Sequence, residues 1–177
     1  MTIQAQKGIL LAPPACSAML KRGMERIEKK SPRPVDVLYG REPDEPVLSE
    51  YDWILLLDKI TIAVGDSLQD DAWGVTVEGD CPARVTIEAQ TERARLYALY
   101  HIAACLEIGT PVSDWPVKRT PLLKKRYAWI SAGNCWSDVA RPDWFDRDIE
   151  DIPGLGLNGV LLTLTPTHGT SIGRQTL

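Results

Sequence analysis

Two neighbouring segments of the chain alternate apolar and polar residues in the way a half-buried strand does. Residues 74–78 read Gly-Val-Thr-Val-Glu and residues 84–88 read Arg-Val-Thr-Ile-Glu, with Gly-Asp-Cys-Pro at residues 79–82 between them. An alternating pattern puts apolar side chains on one face of a strand and polar side chains on the other. The pattern therefore predicts an antiparallel hairpin with one solvated face.

Short runs rich in apolar residues predict further strands before this hairpin. These runs occupy residues 8–11, 35–39, 53–57 and 60–64. Residues 41–50, which are rich in proline and charge, predict a loop between the second and third runs.

The first helical pattern lies between the first two of these runs. In residues 15–27 apolar residues recur every three or four positions, and most of the charged residues fall on the opposite side. Proline is tolerated in the first turn of a helix, so Pro13-Pro14 predicts the start of this helix, and Pro32 requires that it ends earlier.

A second, longer helix is predicted after the hairpin. Thr91 has the side-chain oxygen that an N-cap needs, and Gly109 and Pro111 stop the apolar pattern that follows it. Three prolines in residues 110–121 then predict a linker. We therefore expect residues 1–118 to form a small α/β, or α+β, domain with two helices on a mixed sheet.

The last third of the chain has the pattern of one βαβ unit of a (β/α)8, or TIM, barrel. Apolar runs at residues 126–130 and 159–164 predict parallel strands, and residues 142–151 predict the helix between them. A complete barrel needs eight such units and roughly 250 residues. We therefore expect residues 119–177 to be the first unit of a truncated TIM barrel.

Charge and hydropathy exclude two classes of partner. The chain has 20 Lys and Arg against 24 Asp and Glu and no long basic run, so nucleic acid is not an expected partner. No apolar run approaches the roughly 18 residues of a membrane span. Residues 8–20 are interrupted by two prolines and make a poor secretory signal. We expect a cytoplasmic protein without a membrane partner.

The cysteines predict reduced thiols and no metal site. The four cysteines are scattered without a CxxC pair, and only two histidines could complete a set of ligands. No Gly-rich phosphate loop opens a helix, so no nucleotide cofactor is expected. Six Trp and five Tyr against one Phe supply rings that proteins use both in cores and on sugar-binding surfaces.

The order of these patterns resembles the small non-catalytic domain and the barrel start of several glycoside hydrolases. A hairpin, a helix containing Tyr-Ala-Leu-Tyr-His-Ile and a Trp-Pro linker precede the first barrel strand, as in the β-N-acetylhexosaminidases, the α-glucuronidases and the α-N-acetylglucosaminidases. The barrel start is most similar to the last group. The positions that carry this similarity are Arg126, Tyr127, Asn134, Cys135, Trp136, Trp144, Asn158 and Gly159.

The chain departs from these families after the first barrel helix, where they usually continue through a Met-Ala-x-x-Gly-like stretch. Residues 152–156 are Ile-Pro-Gly-Leu-Gly instead. Proline lacks the N–H that a helix interior needs, so this stretch should break or shorten the helix.

The acids near the first barrel strand are interpreted as non-catalytic. Negative charge is favoured in the first turns of a helix and on its solvated face. The resemblance implies the same, because the catalytic carboxylates of these families follow later barrel strands. The acids concerned are Asp138, Asp143, Asp146, Asp148, Glu150 and Asp151.

Three residues past the predicted barrel strands are candidates for contact with sugar. Asn134 and Trp136 follow the first strand and His168 follows the second, at the end where barrel enzymes place their sites. An amide can hydrogen-bond a sugar hydroxyl, and an indole can stack on a pyranose ring. The alternative is loop packing for Asn134 and Trp136, and a surface or packing role for His168.

Two other features have structural interpretations. His101 lies in an apolar helix and is expected to be structural. The basic residues of Lys118-Arg119 and Lys124-Lys125-Arg126 are interpreted as a solvated linker face, with attraction of an acidic, uronic-acid substrate as the alternative.

These patterns predict the N-terminal part of a glycosidase that acts on oligo- or polysaccharide. In this hypothesis an ancillary domain supports a barrel whose catalytic part is missing from the chain, so the chain alone should be inactive. Carbohydrate is the expected partner, and exposed barrel strands could join copies into a homo-oligomer. The alternative is a stand-alone, non-catalytic α/β module for carbohydrate binding or another interaction.

Overall fold

A computed structural model of the chain describes residues 6–40, 44–61, 71–123, 125–132 and 150–164. The chain divides into two compact units, Met1–Lys124 and Lys125–Leu177, which we call unit 1 and unit 2. No helix within the described ranges is long and apolar enough to cross a membrane.

Unit 1 is built on a six-stranded mixed sheet with the strand order β2-β1-β3-β5-β4-β6. The strands are β1 (Gly8–Ala12), β2 (Val35–Tyr39), β3 (Trp53–Thr61), β4 (Trp73–Glu78), β5 (Ala83–Ala89) and β6 (Val117–Arg119). β1, β2, β3 and β5 are parallel, and β4 is antiparallel to both of its neighbours. The mixed sheet and its helices confirm the α/β class.

The hairpin predicted from alternation consists of β4 and β5. Val75 lies opposite Ile87 and Thr76 lies opposite Thr86, so residues of the same character share a face. The turn contains Gly79, whose φ is 75°, and a cis peptide bond between Cys81 and Pro82. The apolar face of the hairpin points into the core of unit 1.

The first helix, α1 (Ala18–Lys30), begins later than the prolines predict. Ser17 is its N-cap, and its hydroxyl accepts a hydrogen bond from the Leu20 N–H at 3.2 Å. A helix start needs acceptors for its free N–H groups, and proline side chains have none. The predicted start at Pro13-Pro14 is therefore wrong, and the two prolines lie in the turn after β1.

The long helix, α3 (Glu92–Ile108), has the predicted ends. Thr91 caps it by accepting a hydrogen bond from the Ala94 N–H at 3.1 Å, and Gly109 closes it in the left-handed region with a φ of 72°. Ten of its 17 residues are buried, so it needs cover on more than one side. The sheet and α1 provide that cover. A methyl group at Gly23 of α1 would overlap Leu99 of α3, which shows how closely the helices approach.

Two tryptophans lie at the centre of the core between the sheet and these helices. Trp53 and Trp115 are both fully buried, and their ring centroids are 5.4 Å apart in an edge-to-face arrangement. Gly8 lies against the Trp53 ring, and a methyl group there would overlap it. The start of β1 therefore requires glycine.

The segment predicted as a linker, residues 110–121, belongs in part to the core and sheet of unit 1. A 3₁₀ turn at Val112–Asp114 leads to Trp115, whose indole N–H donates to the Thr110 carbonyl at 3.0 Å. β6 then pairs with β4. The prolines of this segment flank these packed residues and do not prevent them from packing, so the linker prediction is wrong here.

The second face of the sheet is apolar over β1 and β3. Ile54 and Leu56 are buried there together with Leu48 and Tyr51. Leu48 ends a single helical turn, α2 (Glu45–Leu48), within the segment predicted as a loop. The Tyr51 hydroxyl donates to the Asp36 carboxylate at 2.6 Å, and this hydrogen bond raises the pKa of Tyr51 to about 12.

The third and fourth apolar runs do not form two separate strands. β3 is continuous from Trp53 to Thr61, so it includes the start of the run at residues 60–64. Its pairing with β5 shifts between Leu56 and Thr61. The end of that run lies outside the described residues.

Unit 2 contains the two predicted parallel strands, β7 (Tyr127–Ala132) and β8 (Gly159–Leu164). Residues 150 and 151 are helical, and the rest of the helix predicted at residues 142–151 lies outside the described residues. A 3₁₀ turn at Ile152–Leu155 follows and ends at Gly156, whose φ is 69°. The predicted break at residues 152–156 is therefore confirmed.

Candidate functional site

The residues predicted to contact sugar, Asn134, Trp136 and His168, lie outside the described residues, so their roles stay predictions. The strands that precede them in sequence are described. β7 ends at Ala132 and β8 ends at Leu164, and these two residues are register partners. Because parallel strands end at the same edge of a sheet, the segments with the predicted residues leave neighbouring strands at one edge.

The opposite edge of this strand pair is fixed by hydrogen bonds between Arg126 and Asn158. The Arg126 backbone N–H donates to the Asn158 side-chain oxygen at 2.8 Å, and the Asn158 backbone N–H donates to the Arg126 carbonyl at 2.8 Å. The Arg126 side chain also donates through Nε to the Gly156 carbonyl at 2.6 Å. These bonds set the register at the point where both strands begin.

The next pair of residues adds a packing contact at the same edge. Tyr127 and Gly159 are register partners, and a methyl group at Gly159 would overlap the Tyr127 ring. The ring therefore lies directly over the glycine of the neighbouring strand. Together with Arg126 and Asn158, this contact forms what we call the strand-start clamp.

The strand-start clamp explains four of the residues that carry the resemblance. Arg126, Tyr127, Asn158 and Gly159 are register and packing residues at the start of the two strands. Among the remaining resemblance positions are Asn134 and Trp136, whose contact with sugar stays a prediction.

A histidine and a cysteine lie one turn apart on α3. The Sγ atom of Cys105 and Nε2 of His101 are 3.6 Å apart. Burial raises the pKa of the Cys105 thiol and lowers the pKa of His101. A cysteine nucleophile must be a thiolate, so this pair is unsuited to nucleophilic catalysis.

His101 has packing contacts that fit its predicted structural role. Its Nε2 atom lies 3.3 Å from the Trp115 carbonyl oxygen, and its ring centroid lies 5.4 Å from that of Trp73. It thereby joins α3 to β4 and to the residues just before β6.

An ion pair between the buried Asp71 and the exposed Arg93 holds the start of α3. Asp71 is only 4% exposed, and Arg93 donates to it through Nε at 2.7 Å and through a terminal nitrogen at 2.6 Å. The guanidinium of Arg93 balances the charge of the Asp71 carboxylate, so we assign this carboxylate a structural role. It is not a candidate general base.

The described acids do not form a metal-binding cluster. Glu150 and Asp151 are the two acids near β7 that fall in the described ranges, and they lie at the end of the predicted helix. Within those ranges no three histidine, cysteine or acidic side chains come together as a metal site would require. The other acids considered from sequence lie outside the described residues.

Comparison with known proteins gives a match among solved structures. No family model and no curated protein matches the chain. A solved structure of a GH138 enzyme that targets pectin rhamnogalacturonan II matches with a TM-score of 0.58 and 12% sequence identity. The match covers 90% of this chain and 24% of the enzyme.

The likeness is one of fold. At 12% identity it shows that the chain shares its fold with part of this enzyme. The chain spans about a quarter of the length of that enzyme.

Proposed function

We propose that this chain is the N-terminal part of a glycoside hydrolase acting on oligo- or polysaccharide. In this proposal unit 1 is an ancillary α/β domain, and β7 and β8 are the first two strands of a (β/α)8 barrel. The match to the GH138 enzyme supports it, because a match over 90% of the chain must extend past unit 1 into unit 2.

The exposure of β8 is the observation that carries the proposal. Val160 and Leu161 are successive residues and therefore point to opposite faces of the strand, yet they are 39% and 58% exposed. Parallel strands in α/β proteins are normally covered on both faces. In a closed barrel the side chains of the other strands cover one face and the helices cover the other.

The proposed substrate contacts are Asn134, Trp136 and His168, at the end of the strands opposite the strand-start clamp. The catalytic carboxylates are proposed to belong to strands that this chain does not include. Hydrolysis of a glycosidic bond generally needs two carboxyl groups on either side of the bond, or one with help from the substrate. The chain alone should therefore bind carbohydrate without hydrolysing it.

A second candidate is a stand-alone carbohydrate-binding or interaction module. The observation in its favour is that unit 1 has a core of its own, with Trp53, Trp115 and both long helices inside it. This candidate does not explain why β8 is apolar on both faces.

The experiment combines an activity assay with a binding assay on the whole chain. A panel of aryl glycosides should show no turnover above the blank. Oligosaccharide binding should weaken by about 0.5–1.5 kcal/mol, up to roughly tenfold, in a Trp136→Ala variant that loses its stacking ring. Tyr39→Ala is the matched control, because Tyr39 is a 56% exposed ring on β2 of unit 1 and takes no part in the strand-start clamp.

Two results would overturn the proposal. Turnover of a glycoside that is lost in an Asp138→Asn variant would place catalysis within this chain. Equal weakening by the Trp136→Ala and Tyr39→Ala variants would remove the proposed contact site.

A further inference from the structure

The edge of the sheet formed by β4 and β6 brings aromatic and basic side chains together on one face. Trp73 and Arg119 are register partners, as are Gly74 and Lys118. Register partners share a face, and successive residues alternate between faces. Arg119 therefore lies on the face of Trp73 and of the helices, and Lys118 lies on the opposite face.

Arg119 has no partner for its charge among the described residues. Arg119 and Lys118 are both exposed, and neither is in an ion pair within the described part of the chain. Burial lowers the pKa of His101, and the positive charge of Arg119 lowers it further. Arg119 therefore lies near His101. The guanidinium of Arg119, next to the partly buried Trp73, is thus open to an anion from solvent.

Trp73 is held in place beside this cation. It packs against the core and is only partly buried. The His101 ring, tilted by 46°, supports it on the helix side at a centroid distance of 5.4 Å, and His101 is itself held at the Trp115 carbonyl. An aromatic ring fixed before the ligand arrives costs little entropy on binding.

We propose that Trp73 and Arg119 form a contact site on unit 1 for a uronate residue of an acidic oligo- or polysaccharide. The planar guanidinium of Arg119 can pair with both oxygens of the uronate carboxylate, and the accessible part of the Trp73 indole can contact the C–H face of the pyranose ring. His101 is a positioning residue that holds the indole. The choice of a carbohydrate ligand rests on the proposed function, and the acidic character follows from Arg119.

The test measures binding of a galacturonate oligomer to the whole chain by calorimetry at low salt. An Arg119→Gln variant should lose at least about tenfold in affinity, as expected when a hydrogen bond between charged groups is removed. Lys118→Gln is the matched control, because it removes the same charge from the same strand on the other face. It should change affinity less than about twofold, in the range of exposed charge effects. The methyl ester of the oligomer, which has no carboxylate, should bind at least about tenfold more weakly than the free acid.

A second readout follows the ring nitrogens of His101 by NMR. A carboxylate held beside Arg119 places a negative charge near His101, so the pKa of His101 should rise when the oligomer binds to the native chain and stay unchanged in the Arg119→Gln variant. Arg119 is exposed, and an unchanged thermal transition will show that the variant folds.

Three outcomes would overturn this site. They are equal losses in the Arg119→Gln and Lys118→Gln variants, equal binding of the ester and the acid, or no binding of the acid at millimolar concentration. If a neutral oligosaccharide binds and depends on Trp136 while the acid does not bind at Arg119, this site is refuted and the proposed function stands. If neither binds, both are refuted.

Discussion

Units 1 and 2 both contain a pair of adjacent parallel strands, and the described side chains of the two pairs differ in how far they are buried. All five residues of β1 are buried, and so are Trp53 to Leu57 of β3. The long helices cover one face of these strands, and Leu48 with Tyr51 covers the other. In unit 2 the successive residues Val160 and Leu161 are partly open to solvent. Among the described residues the parallel strands of unit 1 are therefore covered on both faces, whereas β8 of unit 2 is partly exposed on both.

The two units also have the same packing contact at the start of their parallel strand pairs. In each, a glycine lies directly across from an aromatic residue and under its ring, Gly8 with Trp53 and Gly159 with Tyr127. Trp53 is fully buried, whereas Tyr127 is 56% exposed. The same contact between a glycine and an aromatic ring therefore occurs at the start of a strand pair whether the ring is buried or exposed.

The largest expected change in stability comes from shortening unit 1, by comparing a chain that ends at its boundary with one that ends earlier. A chain ending at Lys124 should unfold cooperatively, because it keeps β6 and the buried Trp115. A chain ending at Thr110 loses both, and should lose at least the roughly 3–5 kcal/mol of a Trp deletion from a core. Urea denaturation of the two chains gives the comparison. Equal midpoints would show that Trp115 and β6 add nothing to unit 1.

A smaller effect is expected at the two glycines. Gly8→Ala forces a methyl group against a ring that cannot move, and should destabilise unit 1 by about 1–3 kcal/mol. Gly159→Ala meets a ring that can turn into solvent, and should cost unit 2 less than about 1 kcal/mol. Urea denaturation with amide exchange read separately in each unit measures both. A larger cost at Gly159 would mean that Tyr127 is as confined as Trp53.

The sequence predicts the elements of this fold better than their contacts. The strands of the hairpin, both long helices and the parallel strands of unit 2 follow from apolar periodicity, and Thr91 and Gly109 follow from capping chemistry. β6 does not, because three residues with two charges between prolines give no periodic signal. The positions of Gly8 and Gly159 under rings depend on register, which periodicity alone leaves open.

The two candidate sites also differ in whether their residues can be identified from the sequence. Asn134, Trp136 and His168 can be named from sequence because they follow predicted strands. The Trp73 and Arg119 site cannot, because these two residues are far apart in the chain and meet only through the pairing of β4 with β6. Lys118 and Arg119 read as a linker face from sequence, and the structure separates them onto opposite faces of one strand.

The strand-start clamp of unit 2 predicts a moderate effect for Asn158→Ala. This change leaves the Arg126 N–H without its acceptor and should cost about 0.5–1.5 kcal/mol. Asn158→Asp keeps an oxygen at the same position and should cost less. Amide exchange of β7 and β8 reports the difference. Identical exchange in both variants and the native chain would show that the clamp does not hold the strands.

The smallest expected effect is a pH dependence confined to unit 1. Burial lowers the pKa of His101 from its ordinary value of 6.5, so the unfolded chain binds a proton there more readily than the folded chain. The contribution of His101 to stability should therefore fall as the pH drops below 6.5, and level off below its lowered pKa. Urea denaturation of the native chain and a His101→Gln variant across this range gives the difference. If the native chain instead gained stability relative to the His101→Gln variant as the pH fell below 6.5, the lowered pKa would be contradicted.

Amide hydrogen exchange on a sample shown to be monomeric tests the contrast between the two units most directly. Exchange of backbone amides depends on local opening, and a strand pair with open faces should open more easily than a buried helix. We expect the amides of β7 and β8 to exchange much faster than those of the Leu96 to Leu106 part of α3. Equal protection in the two regions would show that unit 2 is a finished domain, and would contradict its interpretation as the start of a larger barrel.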